Sequence, residues 1–176
     1  MLSIDVKEVP PDGLDLQESL EPAEIHAQGS DDFILEEGGA LRCHVELREE
    51  ETVSVSGRLT ARLGLVCGRC LDPFALPIDK SLELFFLPHR EGQGDEDEVE
   101  LTERDMVVAY YRDRRIDLGE MVREQFFMAV PMKRLCRDEC KGLCPRCGIN
   151  KNRESCECPA ADADPRLTSL GRLFER

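Results

Sequence analysis

Six of the nine cysteines in this 176-residue chain crowd into the stretch Leu135 to Pro159, at positions 136, 140, 144, 147, 156 and 158. Cysteine pairs so closely spaced are read as metal ligands wherever thiols stay reduced. The centre of the stretch is Cys144-Pro145-Arg146-Cys147-Gly148. A metal knuckle needs two thiolates on one tight turn, with backbone N–H groups turned toward the sulfurs. Proline after the first cysteine fixes φ, and glycine after the second permits a left-handed bend. Cys156-Glu157-Cys158 follows the knuckle closely. Its thiols can complete a four-thiolate, tetrahedral structural zinc site with Cys144 and Cys147.

Three further pairings stay open at this level. Cys67-Gly68-Arg69-Cys70 is a second pair of the knuckle type, and Cys136 and Cys140 are four residues apart, one helical turn. Together these four could close a second tetrahedral site. Alternatively, Cys140 replaces Cys156 or Cys158 in the first. Cys43 sits on the apolar side of an alternating run and reads as a small core residue. All-cysteine zinc sites are closed and structural, whereas a catalytic zinc keeps a position open for water. The three histidines, His26, His44 and His89, stand in acidic or outward-facing surroundings, and no GxxxxGK[ST] or GxGxxG loop occurs. The expectation is a non-enzymatic protein.

Charge is unevenly spread. The formal net charge is −14. Residues 1–40 carry eleven acidic side chains against one basic, and residues 91–105 carry eight against one. Residues 131–158 reverse the sign, with seven basic side chains against four acidic. Those seven, Lys133, Arg134, Arg137, Lys141, Arg146, Lys151 and Arg153, are the candidate contacts for phosphate, with Asn150 and Asn152 offering polar contacts. A chain this acidic is repelled by bulk nucleic acid, so binding would run through the basic stretch or through a basic protein partner. The opening residues lack the charged and apolar regions of a secretory signal, and no run approaches the ~18 apolar residues of a spanning helix. A cytoplasmic chain without a membrane partner is expected.

The elements that must position the cysteines come from hydrophobic periodicity. Leu41, Cys43, Val45 and Leu47 alternate with polar residues, as do Val53 and Val55, then Leu59, Ala61, Leu63, Leu65 and Cys67. Phe74, Leu76 and Ile78, then Leu82, Leu84 and Phe86, predict one long strand or two broken near Pro77. Cys67–Cys70 would thus lie at a hairpin tip. Leu2, Ile4 and Val6 suggest a first strand, Leu14–Gly29 is acidic and mixed, and Met106–Tyr111 reads as a late strand. Asp117 is a helix N-cap, with Leu118, Met121, Val122, Phe126 and Ala129 on one stripe and Phe127 nearly opposite. Asp164-Pro165 would start a short terminal helix. The fold class is therefore α+β: an antiparallel β-sheet or partly closed barrel with one main helix and a C-terminal zinc-knuckle appendage. The expected division is a β-rich core over 1–130, with helix 118–130 and an acidic loop at 91–105, followed by a cysteine-rich zinc-binding segment and terminal helix over 131–176.

Cys67-Gly68-Arg69-Cys70-Leu71, Pro131, and the run from Leu135 through Cys140-Lys141-Gly142-Leu143-Cys144-Pro145-Arg146-Cys147-Gly148-Ile149-Asn150 to Asn152 carry a resemblance. So does the ending Cys156-Glu157-Cys158 with Asp164-Pro165-Arg166-Leu167 and Leu170. From about Leu59 onward the chain resembles the YceD family, the large ribosomal RNA subunit accumulation proteins of bacteria and plastids. The resemblance implies a non-enzymatic cytosolic factor needed for accumulation of 23S rRNA and assembly of the large ribosomal subunit. Its partners would be large-subunit rRNA, ribosomal proteins, or both. The competing expectation is a zinc-stabilised protein–protein adaptor with no nucleic-acid contact, in which acidic residues such as Asp95–Glu98 recognise a basic partner.

Overall fold

The computed structural model describes residues 2–25, 33–36, 38–89 and 108–159. The acidic run 91–105, His26 and the expected terminal helix lie outside the described residues. The chain divides into two compact units, one made of Met1–Leu65 and Phe74–Met132, the other of Val66–Pro73 and Lys133–Arg176.

The first unit is mostly sheet. Its strands are β1 (Ser3–Asp5), β2 (Leu14–Leu20), β3 (Ile34–Leu35), β4 (Gly39–Leu47), β5 (Val53–Val66), β6 (Pro73–Pro88), β7 (Val108–Tyr111) and β8 (Arg115–Asp117). A four-residue helix α1 (Pro22–Ile25) and the main helix α2 (Leu118–Ala129) complete it. The large sheet has the order β2-β4-β5-β6-β7, with β3 also on β5, and β1 pairs separately with β8. The partly closed barrel is therefore corrected to open sheets. Closure would require the end strands β2 and β7 to pair, and the path leaves them at opposite ends. The sheet is also not wholly antiparallel, since Phe85–Pro88 of β6 runs parallel to Val108–Tyr111 of β7.

Alternation builds this core as expected. In the β4–β5 ladder Leu41 faces Leu59, Val45 faces Val55 and Leu47 faces Val53, and of these only Leu47 is exposed. The two runs Val53–Val55 and Leu59–Cys67 join in one 14-residue strand that ends at Val66. Gly57 allows the close approach opposite Cys43: a Cβ there would stand 2.1 Å from the Arg42 carbonyl oxygen and 2.6 Å from Cys43 Cα. β6 passes unbroken through Pro77. β7 reaches only Phe85–Pro88 of it, so the stretch through Pro77 has an open flank among the described residues, where proline is tolerated.

α2 starts where the N-cap predicts, with the Asp117 carboxylate accepting from the Glu120 N–H at 3.0 Å. Leu118, Met121, Val122 and Phe126 are buried as the stripe requires, and Gln125 joins them by accepting from Lys80 Nζ at 2.9 Å. Phe126 and the half-exposed Phe127 both meet the Phe33 ring edge-on, at 5.8 and 5.1 Å between centroids. The Tyr111 hydroxyl donates to the Glu51 carbonyl at 2.8 Å, tying β7 to the turn between β4 and β5.

Candidate metal centres

The second unit brings eight of the nine cysteines into two quartets. Cys67, Cys70, Cys136 and Cys140 form one; Cys144, Cys147, Cys156 and Cys158 form the other. Within each, all four sulfurs lie within 4.8 Å of one another. All nine cysteines are free thiols. Cys140 stands with the hairpin-tip pair, 3.8 Å from Cys67 Sγ, while Cys136 stands 3.8 Å from Cys70 Sγ. A tetrahedral zinc with Zn–S of about 2.3 Å has sulfur–sulfur edges of about 3.8 Å, which the Cys67–Cys140 and Cys70–Cys136 separations match.

The hairpin between β5 and β6 supplies half of the first quartet. Its turn closes through the Cys67 N–H to the Asp72 carbonyl (2.9 Å) and the Leu71 N–H to the Cys67 carbonyl (3.0 Å), with Leu71 at φ 60°. The segment after α2 supplies the other half and is laced to this turn. The Gly68 N–H donates to the Arg134 carbonyl at 2.7 Å, and the Leu143 N–H to the Arg69 carbonyl at 3.0 Å. Arg69 Nη1 reaches the carbonyls of Cys140 (3.0 Å) and Asp138 (3.3 Å). Gly142 has φ +70°, and a Cβ there would press to 2.9 Å from the Arg69 carbonyl oxygen. Arg69 thus fastens the quartet. Sequence reasoning passed over it, although a cationic side chain in the middle of a cysteine knuckle was the available signal.

The second quartet is more open: Cys144 is buried, Cys156 and Cys158 are half-buried and Cys147 is exposed. Its knuckle folds as the Pro/Gly pattern requires. Gly148 takes φ +75°, its N–H donates to the Cys144 carbonyl at 2.9 Å, and the Cys144 N–H donates to the Ile149 carbonyl at 2.8 Å.

Electrostatics separates thiols within each quartet. Burial works against the Cys67 thiolate, but N–H donors from Cys70, Cys136 and Arg69 outweigh it and bring the thiol down to about 6. The Asp72 N–H favours the Cys70 thiolate, yet burial and the adjoining Cys67, Cys140 and Cys136 push that thiol up to about 12. In the second quartet N–H groups of Cys147 and Arg146 bring Cys144 down to about 6. Cys147 beside it, then burial, push Cys158 up to about 12. Four sulfurs this close cannot all ionise alone, and a divalent cation is the group that lets them. The donor set fits a closed, thiolate-only metal site. Cys43 is different in kind. It is buried in the sheet, and burial, then Glu18 and Asp15, raise its thiol to about 11. Cys43→Ala is expected to cost about 1 kcal/mol of stability and to leave metal content unchanged; metal analysis and a denaturant melt check both.

Of the seven basic candidates, Lys133, Arg137, Lys141, Arg146, Lys151 and Arg153 are exposed and Arg134 is half-buried. Arg153 spends Nη2 on Asp72 at 3.1 Å. Asn150 and Asn152, the candidate polar contacts, are both engaged within the protein. Asn150 Nδ2 donates to Asp72 at 2.8 Å, and Asn152 Nδ2 donates to Asn150 Oδ1 at 2.9 Å and to Cys140 Sγ at 3.3 Å. Both amides brace the first quartet. Of the histidines, His44 pairs with Asp15 at 2.8 Å and His89 lies edge-on to Tyr110, and both quartets are all-cysteine. No helix among the described residues is long and apolar enough to cross a membrane.

Comparison with known proteins places the chain among relatives of the same kind. The family model described as "Large ribosomal RNA subunit accumulation protein YceD" matches residues 55–174. An uncharacterized protein of Mycobacterium tuberculosis is 33% identical over 132 residues, covering 73% of this chain and 58% of its own length. An uncharacterized Bacillus subtilis protein, YlbN, is 26% identical over 129 residues, covering 73% of this chain and 70% of its own. Large ribosomal RNA subunit accumulation protein YCED homolog 1, chloroplastic, of Arabidopsis thaliana is 30% identical over 63 residues, covering 36% of this chain and 20% of its own. The chain thus spans little more than half the length of its mycobacterial relatives. No solved structure matches it.

Proposed function

The chain belongs to the YceD family, described by its large ribosomal RNA subunit accumulation protein, and from that membership we propose that it is a non-enzymatic, cytosolic factor for accumulation of 23S rRNA and assembly of the large ribosomal subunit. The observation that carries the reading is the second unit. There two all-thiol quartets lie in the same compact unit as the exposed side chains of Lys133, Arg137, Lys141, Arg146 and Lys151.

In this reading each quartet holds one structural Zn²⁺: Cys144, Cys147, Cys156 and Cys158 at one site, Cys67, Cys70, Cys136 and Cys140 at the other. Bound there, zinc supplies folding free energy and a fixed geometry. The chain's own residues do the rest. Lys133, Arg134, Arg137, Lys141, Arg146, Lys151 and Arg153 meet phosphates of large-subunit rRNA, and a basic ribosomal protein adds contact through the acidic segments. The proposed division keeps a β-rich core over 1–130 and a zinc-binding segment over 131–176, the latter joined by the hairpin tip Cys67–Cys70.

Cells lacking the protein are expected to hold less mature large-subunit RNA relative to small-subunit RNA, and the protein should sediment with precursor large-subunit particles. Cross-linking in cells separates this from the adaptor reading. Large-subunit RNA adducts through residues 131–158 support the proposal. Protein-only adducts through 1–40 or 91–105 support an adaptor. An unchanged RNA ratio without ribosomal adducts overturns the ribosomal reading.

A further inference from the structure

The two quartets are joined by a short ribbon, and one side chain on it touches a sulfur. Leu143 and Asn150 form an isolated antiparallel bridge. On one side of that bridge lies the knuckle of the second quartet, closed by the Cys144 N–H to the Ile149 carbonyl. On the other side the Lys151 N–H donates to the Gly142 carbonyl at 2.9 Å, and the Lys141 N–H donates to Asn152 Oδ1 at 2.9 Å. The same Asn152 amide sends Nδ2 to Cys140 Sγ at 3.3 Å, in the first quartet. Asn150 Oδ1 holds that amide from two sides, accepting from Asn152 N at 3.0 Å and from Asn152 Nδ2 at 2.9 Å. Asn150 is in turn anchored on Asp72, next to the hairpin-tip cysteines.

We infer that Asn152 is a positioning residue that couples the two metal sites, so that a metal ion in the Cys144/Cys147/Cys156/Cys158 quartet strengthens metal binding in the Cys67/Cys70/Cys136/Cys140 quartet. The inference rests on the zinc reading above. Its physics is that of a small hairpin. A two-stranded ribbon this short is not stable alone, and its arms hold register only when the knuckle at their end is locked. Metal at Cys144 and Cys147 locks it. The register then puts the Asn152 side-chain Nδ2 against the Cys140 thiolate, where a donor stabilises the charged sulfur and orients it toward the metal. Without the lock, the Asn152 amide is held only through Lys141 and through Asn150 on Asp72, and its donation to Cys140 weakens. Coupling of this kind is reciprocal: whatever the second site does for the first, the first does for the second.

The test is a cycle of full-length proteins titrated with Co²⁺ and with Zn²⁺ against a competing chelator. The forms are the unmodified chain, one lacking the second quartet (Cys147→Ser with Cys158→Ser), one lacking the first (Cys136→Ser with Cys140→Ser), and each of these with Asn152→Asp. Aspartate keeps the oxygen that accepts from Lys141 and removes the Nδ2 donor that serves Cys140 Sγ and Asn150 Oδ1, while the backbone N–H of residue 152 still donates to Asn150 Oδ1. In the unmodified chain, the product of the two metal affinities should exceed the product from the two single-quartet forms by at least about tenfold, the scale on which outer-shell partners act. With Asn152→Asp that excess should vanish. The thiolate-to-cobalt absorption of the first quartet should also shift in Asn152→Asp only when the second quartet is filled, a signature that general loosening of the fold would not produce. Two metals bound with affinities equal to those of the separated sites, or an excess that survives Asn152→Asp, overturns the coupling while leaving the zinc reading intact. A chain that takes up no metal overturns the zinc reading itself.

Discussion

Stripped of zinc by a strong chelator, the protein is expected to lose the order of residues 66–73 and 133–159 while the sheet of the first unit goes on melting cooperatively. The reason lies in what each unit buries. The apolar core cluster, from Ile4 through Leu41, Val55 and Leu63 to Phe126, is drawn entirely from the first unit. In the second, the buried side chains among the described residues are Cys67, Cys70, Cys140 and Cys144. Thiols in place of aliphatic side chains leave little hydrophobic burial to hold the backbone, whereas a structural zinc contributes about 10–16 kcal/mol of apparent binding free energy. Metal analysis should read two zinc ions per chain before chelation. Limited proteolysis afterwards should cut in 133–159 and spare β4 to β6. Collapse of the whole chain on chelation would show that the metal also holds the sheet. Unchanged protection of 133–159 would show that the metal holds nothing.

The second large effect is expected on RNA. Replacing Lys133, Arg137, Lys141 and Lys151 together by glutamine should flatten the salt dependence of binding to large-subunit rRNA by roughly three units of slope, at about 0.7 per lost phosphate contact on single strands. These four leave the cysteine quartets and Arg69 untouched, so on the zinc reading metal content should stay the same. Arg153 is left out because it holds Asp72, whose loss would disturb the first quartet. A filter-binding series across ionic strength reads the slope directly. An unaltered slope would move the RNA contact elsewhere or remove it, and would favour a protein partner.

Much of this architecture was legible because it is periodic. β4 and β5 alternate cleanly, and α2 carries both an N-cap and an apolar stripe, so each element announced itself locally. β2 did not. Leu14, Leu16 and Leu20 do alternate, but Glu18 takes the third place on the same face and hides the period. β1 was signalled by the alternation of Leu2, Ile4 and Val6, but β8 has three residues, too few for any period, and pairs with β1 where Ile4 and Ile116 meet across the chain. The parallel pairing of β7 on β6 is a matter of chain path, which local pattern does not record. At the candidate sites, spacing reveals cysteine pairs but not which pairs meet. Cys67 and Cys140 are 73 residues apart, and no periodicity spans that distance. Asn150 and Asn152 looked available for the same reason: their partners, Asp72 and Cys140, are brought to them by tertiary folding.

The same separation has a consequence in time. On the zinc reading, the first quartet draws half its ligands from a hairpin tip and half from a segment that follows 66 to 73 residues later. A ribosome adding about 5–20 residues per second delivers Cys136 and Cys140 roughly 3–15 s after Cys67 and Cys70. Throughout that interval the nascent chain displays a two-thiol claw on a formed or forming turn, with two coordination positions to offer. The second quartet, confined to fifteen consecutive residues, has almost no such interval. Each newly made molecule therefore passes through a stage at which a soft metal ion, an oxidant or another thiol protein can take the hairpin tip before its own partners arrive, and the supply of free zinc during synthesis sets how many molecules leave that stage correctly filled.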